Sequence, residues 1–396
     1  MSKKVLIFSL AYHPFVGGAE VAMKEITDRI DSDDISFDMV TLRFDRALPK
    51  VEMLGNITVH RIGFTTRKTD VSDLSKPIHK LNKLLFPIWS TVVASRLHRK
   101  NKYNGIWAMM ANYAGFGALF FKVMHPRVPY LLTLQEGDPI EYIKKKVRFA
   151  RPLFRRIFTR ADVIQVISSH LGRFARDMGY KGSIEIVPNA VNVRLFSQKQ
   201  SGEKILHKKE GDVYLVTTSR LVTKNALDDV INALALLSEN IHFVILGIGP
   251  DEEKLKKLAR IKKVEGRVHF VGQVSYEDIP KYLHESDIFI RPSLSEGFGN
   301  SFVEAMAAGV PVIATQKGGI ADFLFDPDCN PDKPPTGRAV QTRDPEGIAH
   351  QIERYLNDTN VMEEIVSNAQ KMVAEKYDWG IIAQDMKERV FKSLLS

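Results

Sequence analysis

The sequence predicts an α/β protein made of two successive Rossmann-like, doubly wound domains, and three observations carry that prediction. Short apolar runs alternate with helix-period segments almost throughout, which is the grammar of βαβ units and parallel sheets. That alternation breaks in a polar stretch at 197–211 and then restarts. The charge balance also differs between the halves, with 31 Lys+Arg against 17 Asp+Glu over 1–195 and 25 against 30 over 196–396. At 396 residues the chain is long enough for two cores of ordinary size.

In the first half the wholly apolar run Val5-Leu-Ile-Phe8 marks a first strand at 4–11. Further strands are expected at 36–43, 57–62, 105–109, 129–134, 163–167 and 184–187. Helical spacing fills 19–30, 76–100, 113–125, 143–160 and 169–178. The second half repeats the pattern with strands at 213–219, 242–246, 268–271, 288–291, 312–315 and 339–341. Its helices are expected at 227–238, 251–264, 276–284, 301–308, 345–357 and 361–376. A final amphipathic helix at 379–394 has no strand after it. The implied domains are 1–190, 191–376 and a terminal helix, 377–396, that packs back toward the first domain. In open α/β sheets, ligands sit beyond the carboxyl ends of the strands. Two such domains facing each other would enclose an inter-domain cleft.

Composition narrows the class. Hydrophobic content of 44% and charged content of 26% suit a globular chain. The only cysteine, Cys329, rules out an internal disulfide and fits a reducing, cytoplasmic setting. No apolar run approaches the ~18–20 residues needed to span a bilayer. Neither first-strand turn carries a complete G-x-G-x-x-G, which argues against a dinucleotide-dependent dehydrogenase. His13, His60 and His125 lack metal-ligand spacing, and Asp326-Pro-Asp328 reads as a polar connecting loop, so no metal or cofactor is expected.

Chemistry concentrates in Ser293-Leu-Ser-Glu296-Gly297-Phe298-Gly299-Asn300-Ser301-Phe-Val-Glu304. Glu296 falls in a glycine-rich turn after a strand, where a ligand can approach the main chain. Asn300 or Ser301 is expected to cap the following helix, whose N–H groups favour an anion. Glu304 fits either a ligand contact or a capping box with Ser301. Arg220 and Lys224 follow the first strand of the second half and could serve a diphosphate, Arg as a forked donor and Lys as a point charge. Gly17-Gly18, after the first strand, is a phosphate-compatible loop.

The segment from Glu296 to Glu304, followed by Ala-Met-Ala-Ala-Gly-Val-Pro311, resembles the Glu-(seven residues)-Glu signature of the family 4 retaining glycosyltransferases. These have the GT-B fold and use nucleotide-diphosphate sugars. The resemblance implies that Glu296 lies by the donor sugar, that Glu304 holds the ribose hydroxyls, and that the backbone around Phe298–Ser301 faces sugar and diphosphate. It also implies diphosphate contacts for Arg220 and Lys224. Here the chain departs from the family's Lys-Gly pair: Asn225 takes the usual Lys register and Lys224 stands one residue early. Gly17 and Gly18 resemble the family's phosphate-closing loop, Gly249 its second-strand turn, and Val274 the segment edging the nucleobase. Many relatives carry a His where this chain has Gln135, which leaves Gln135, Glu136 and Asp138 as acceptor-side candidates.

The implied reaction is transfer of a sugar, with retention and without metal, from a nucleotide sugar to a glycan or glycolipid hydroxyl. Cell-surface polysaccharide or glycolipid synthesis is the natural setting. A sugar-nucleotide epimerase or hydrolase, and a non-catalytic nucleotide-sugar-binding partner, remain open alternatives.

The segments 76–102 and 144–160 contain no acidic residue, and Phe86, Ile88, Trp89, Phe149, Leu153, Phe154, Ile157 and Phe158 interleave with their cations. That mixture suits a helix lying on an anionic membrane, or a helix whose aromatic face packs on the sheet. No nucleic-acid motif accompanies it.

Overall fold

The computed structural model describes residues 2–15, 17–67, 76–199 and 204–396; part of the polar stretch at 197–211 therefore lies outside the described residues. The chain divides into two compact units, Met1–Asn189 with Trp379–Ser396, and Ala190–Asp378.

The first unit is built on an eight-stranded sheet. In chain order its strands are β1 (Lys3–Phe8), β2 (Ile35–Leu42), β3 (Val51–Leu54), β4 (Ile57–Ile62), β5 (Gly105–Met109), β6 (Tyr130–Leu134), β7 (Val163–Val166) and β8 (Ile184–Ile186). They lie side by side as β3-β4-β2-β1-β5-β6-β7-β8, all parallel except the β3–β4 pair. The strand β3 was not foreseen, because Val51-Glu-Met-Leu54 is too short and too exposed to stand out as an apolar run. Strand order reverses between β1 and β5. Val5 to Phe8 and all of β5 and β6 are buried, as expected of strands covered on both faces.

The second unit has a six-stranded, wholly parallel sheet: β9 (Val213–Thr218), β10 (Ile241–Leu246), β11 (Val268–Gly272), β12 (Ile288–Arg291), β13 (Val312–Ala314) and β14 (Arg338–Ala339). The order is β11-β10-β9-β12-β13-β14, with reversal between β9 and β12. Leu215, Phe243, Ile245, Ile288 and Ile290 form its buried centre against Val230, Ile231, Leu234 and Ile352.

Two helices differ from expectation. The one read at 143–160 is broken into Ile140–Lys146, a tight turn at Arg148–Ala150, and Arg151–Thr159. Pro152 falls in the first turn of the last piece, the one helical position that tolerates it. The terminal segment is helical from Trp379 but widens to a π-helix over Met386–Phe391. It packs on the first unit's sheet, with the Phe391 ring 5.6 Å from Phe37 and 5.2 Å from Trp107. Arg389 adds an ion pair to Glu185 at 3.0 Å.

Candidate functional site

In the second unit the turns after β9 and β12 leave adjacent strands in opposite directions, and a crevice at such a reversal is where α/β sheets bind ligands. Arg220, Lys224 and Glu296 all lie there. Ser219 and Arg220 follow β9, and a short turn at Thr223–Asn225 carries Lys224. The Lys224 carbonyl accepts from the Leu294 N–H at 2.7 Å, which ties this turn to the Glu296 loop. Lys224 Nζ stands 4.0 Å from Glu296 Oε2. Arg220 is exposed, and among the described residues it makes no ion pair. Asn225 is buried instead, its Nδ2 donating to Ser219 Oγ and to the Arg220 carbonyl, both at 2.7 Å. Asn225 thus braces the Arg220 turn, and Lys224 is the side chain beside Glu296.

Arg291 was missed by sequence reasoning. It ends the apolar strand Ile288-Phe-Ile-Arg291, and that lone cation in a buried run, five residues before Glu296, was the available signal. Its guanidinium is buried. Nη1 donates to the Thr218 carbonyl and Nη2 to Glu296 Oε1, each at 3.0 Å, and the group lies 4.4 Å from the centre of the Phe302 ring. Ser293 Oγ donates to the same Glu296 oxygen at 3.3 Å. Glu296 is therefore held on one oxygen from beneath, with Lys224 near the other. Burial pulls the Arg291 pKa below its ordinary value, opposed by Glu296 and Glu304.

Glycines set the loop's backbone. Gly299 has φ +99°, and a side chain there would strike the Phe302 ring. Gly319, in the turn after β13, donates its N–H to the Glu296 carbonyl at 3.0 Å; a Cβ on it would collide with the Gly297 carbonyl. Gly249 packs directly on the Leu221 backbone, so a side chain there would displace the Arg220 turn. Val274, half-buried beyond the edge strand β11, lies two strands away from β9, at the far side of the sheet from Glu296.

The expected capping of the next helix is corrected. Helix Asn300–Ala307 begins one residue early, with Gly299 as its cap, and no side chain caps it. Asn300 and Ser301 are inside the first turn, and Ser301 Oγ is buried without a hydrogen-bond partner. The capping box is absent because the left-handed Gly299 turn already brings the Phe302 N–H to the Gly299 carbonyl. Glu304 is buried, and among the described residues its carboxyl accepts no hydrogen bond. Burial pushes its pKa up to about 7, with Arg291 pulling the other way. Phe298 is buried against Phe323 and Tyr377, so its ring anchors the loop and only its backbone is available to a ligand.

In the first unit Gly17 and Gly18 begin the helix Gly18–Thr27 after β1. Glu20 turns back to accept the Gly17 N–H at 2.8 Å, so one donor of this N-terminus is already engaged. Gln135, Glu136 and Asp138 follow β6. Gln135 is buried, and its Oε1 accepts from Asn189 Nδ2 at 3.5 Å. Although Glu136 is half-buried as a residue, its carboxyl is turned inward. Oε1 accepts the Ala111 N–H at 2.7 Å, Oε2 is enclosed and accepts no hydrogen bond among the described residues, and burial raises the pKa to about 7. Glu136 thus braces the end of β5 and does not offer its carboxyl to solvent, contrary to the expected acceptor contact. Asp138 is exposed.

The Asp326-Pro-Asp328 pair is structural. Asp326 Oδ2 accepts the Ala339 N–H at 2.6 Å, and Asp328 pairs with Arg354.

Both halves of the chain match known families. Residues 16–195 match Glycosyltransferase Family 4, and residues 198–372 match the Glycosyl transferases group 1 family. An uncharacterized glycosyltransferase of Methanocaldococcus jannaschii is 24% identical over 404 residues, covering 96% of each chain. A GDP-mannose-dependent alpha-(1-6)-phosphatidylinositol monomannoside mannosyltransferase of Mycobacterium tuberculosis is 29% identical over 253 residues, covering 60% of this chain and 64% of the relative. Among solved structures, sucrose-phosphate synthase from Thermosynechococcus elongatus superimposes with a TM-score of 0.82 at 19% identity, over 98% of both chains. Two doubly wound units of this kind are those of the GT-B fold, and the two family matches make the chain a glycosyltransferase. The chain belongs to the family 4 glycosyltransferases.

Proposed function

We propose that the chain transfers a glycosyl group from a nucleotide-diphosphate sugar to a hydroxyl of a glycan or glycolipid, with retention at the anomeric carbon and no cofactor. One observation carries the reading: Glu296, fixed by Arg291, sits with Lys224 and Arg220 at the strand-order reversal of the second unit. In the proposed reaction the bond from the anomeric carbon to the diphosphate oxygen breaks. The acceptor oxygen bonds to that carbon on the same face, and its proton passes to the departing phosphate oxygen. Arg220 and Lys224 stabilise the charge that develops on the diphosphate, and Glu296 orients the sugar through its hydroxyls. Glu304 receives the ribose diol. In the first unit, Asp138 and Gln135 are assigned to the acceptor, with Glu136 bracing their loop. The mannosyltransferase relative is named as acting on a phosphatidylinositol glycolipid with GDP-mannose, which supports a nucleotide-sugar donor and a lipid-linked acceptor here. Action at the cytoplasmic face of a membrane is part of the proposal. Among the described residues no helix is long and apolar enough to cross a membrane.

The test is donor binding, by thermal shift and calorimetry with UDP-, GDP- and ADP-sugars, followed across pH. A diol donates both hydrogens, so only ionised Glu304 accepts them fully. Its raised pKa of about 7 then makes apparent affinity constant well above pH 7 and falling as pH drops below it. The fall approaches about tenfold per pH unit, by the equivalence of one pKa unit and a tenfold population change. Glu304→Gln should bind more weakly at pH 8 and lose the slope. Stabilisation by none of the nucleotide sugars would overturn the reading, and affinity flat from pH 6 to pH 8 would remove Glu304 from it.

A further inference from the structure

Helix Pro77–Asn101 buries Phe86, Pro87 and Ala94 but leaves a row of aliphatic side chains outside. His79, Asn82, Ser90, Thr91 and Ser95 are buried, whereas Leu81, Leu84, Ile88 and Val92 are 45%, 64%, 59% and 44% exposed. Each of these inward side chains makes a hydrogen bond, so the orientation is fixed by bonding. Asn82 exchanges hydrogen bonds with both backbone groups of Phe64, at 2.9 and 2.7 Å. Thr91 donates to the Pro87 carbonyl at 2.7 Å and lies 3.1 Å from that of Gly117. His79 meets Thr66 at 3.1 Å, and His125 meets Ser95 at 3.0 Å. Rotating the helix to hide the leucines would break each of these.

The exposed residues recur at intervals of three and four, forming one stripe on one face. It is about 16 Å long, from the helical rise per residue. No acidic residue occurs anywhere on this helix. Lys80 is exposed beside the stripe, and burial lowers the Lys83 pKa, with the charges of Lys146 and Lys80 lowering it further. Lys146 ends the helix Ile140–Lys146, which carries Lys144 and Lys145 and an exposed Tyr142. Just beyond, Phe149 is 87% exposed, with the Arg148 guanidinium 4.3 Å from its ring. The aromatics expected to mark a basic face divide differently. Phe86, Phe154, Ile157 and Phe158 are core, and Trp89 packs on Phe64; Ile88, Phe149 and the leucines of the stripe are outside.

We propose that this face docks the first unit on an anionic lipid bilayer, with Leu81, Leu84, Ile88, Val92 and Phe149 entering the headgroup–acyl boundary and Lys80, Lys145, Lys146 and Arg148 meeting lipid phosphates. The proposal deepens the glycolipid-acceptor reading and rests on it for its purpose, though not for its geometry. Charge complementarity selects the occupant. A row of aliphatic side chains together with Lys80, Lys145, Lys146 and Arg148, with Glu141 paired to Lys144 at 3.0 Å, matches a surface that is apolar inside and anionic at its rim. Nucleic acid offers no continuous apolar surface to such a row, and a protein partner would need a continuous acidic rim around an apolar groove.

The experiment is co-sedimentation of the full chain with phosphatidylcholine vesicles, with and without phosphatidylglycerol, at low and high salt. Binding is expected to need the anionic lipid and to weaken with salt. Leu84→Gln combined with Ile88→Gln should weaken it at least about tenfold, since these side chains contribute by burial in the membrane. Lys145→Gln with Lys146→Gln should weaken it and flatten the salt dependence. All four positions are solvent-facing, so the melting temperature should not move. Binding unchanged by the Leu84/Ile88 pair, or indifferent to anionic lipid, would overturn the proposal. So would a dimer that the Leu84/Ile88 pair converts to a monomer with no effect on vesicles, because a second copy would then be the occupant. Donor binding measured on the same variants separates the two readings. Vesicle binding without nucleotide-sugar binding defeats the transferase reading alone, and nucleotide-sugar binding without vesicle binding defeats docking alone.

Discussion

Glu296→Gln is expected to lower kcat by at least about tenfold while leaving the protein folded. A tenfold loss corresponds to about 1.4 kcal/mol of transition-state stabilisation, a modest demand on a carboxylate that orients the reacting sugar. Glutamine keeps an oxygen for the Arg291 and Ser293 donors, which now bond Glu296 at 3.0 and 3.3 Å, so the loop stays in place. It removes the negative charge that faces Lys224 across 4.0 Å. Glu296→Ala should lose at least as much activity and also stability, because it strips the buried guanidinium of its ion-pair partner. Steady-state kinetics together with melting curves separate the two effects. If Glu296→Gln retained near-normal kcat, Glu296 would serve only to neutralise Arg291.

Arg291→Met should cause the largest loss of stability at the site, on the order of 3–5 kcal/mol, the range for removing one partner of a buried ion pair. Its side chain is enclosed, and it joins β9 to the Glu296 loop through the Thr218 carbonyl. A purely structural role would end there. Arg291 also lowers the Glu304 pKa against the effect of burial. In any Arg291→Met protein that folds, Glu304 should therefore titrate higher, and the pH below which donor binding weakens should move upward from about 7. Arg291→Lys keeps the charge but not the forked geometry. It should restore the pH profile more fully than kcat, because lysine cannot bond Thr218 and Glu296 in the same planar manner. An unchanged pH profile in folded Arg291→Met would confine Arg291 to structure.

The proton linkage of Glu304 also bears on stability. Its folded pKa is raised from 4.5 to about 7, so the native state holds a proton that the unfolded chain releases between those values. The favourable contribution is complete below about pH 4.5 and is lost as pH rises through about 7.

Much of the architecture was legible because parallel strands buried on both faces are written as unbroken apolar runs, as in Val5–Phe8 and Leu131–Leu134. Strand β3 escaped because an exposed edge strand has no such run. The break in helix 140–159 was signalled only by Pro152, and the π-helical turn before Phe391 left no mark in a helix-period pattern. At the site, Glu296, Lys224 and Arg220 were readable as residue types at loop positions after strands. What local sequence could not convey was burial. Glu304 fitted a capping box as well as a ligand contact until Gly299 proved to be the cap, and Glu136 stood as an acceptor-side candidate until its carboxyl was found bonded to Ala111. Arg291 was hidden for the same reason, since its partners Thr218 and Glu296 come together only when β12 pairs with β9. In sequence, segment 76–102 fitted either a membrane-facing helix or one packed on the sheet, and the bonding of Asn82 and Thr91 turns the stripe of Leu81, Leu84, Ile88 and Val92 outward.

The central claim is that the strand-order reversal of the second unit is a donor site whose exposed cation carries the departing diphosphate. Arg220→Ala tests it most directly, because Arg220 lies on the surface of the turn and makes no ion pair among the described residues, so its loss should spare the fold. With whichever nucleotide sugar stabilises the wild type, turnover by Arg220→Ala should fall at least about tenfold, the loss expected when one cationic contact to a developing oxyanion is removed. Near-normal turnover in a folded Arg220→Ala protein would contradict the account.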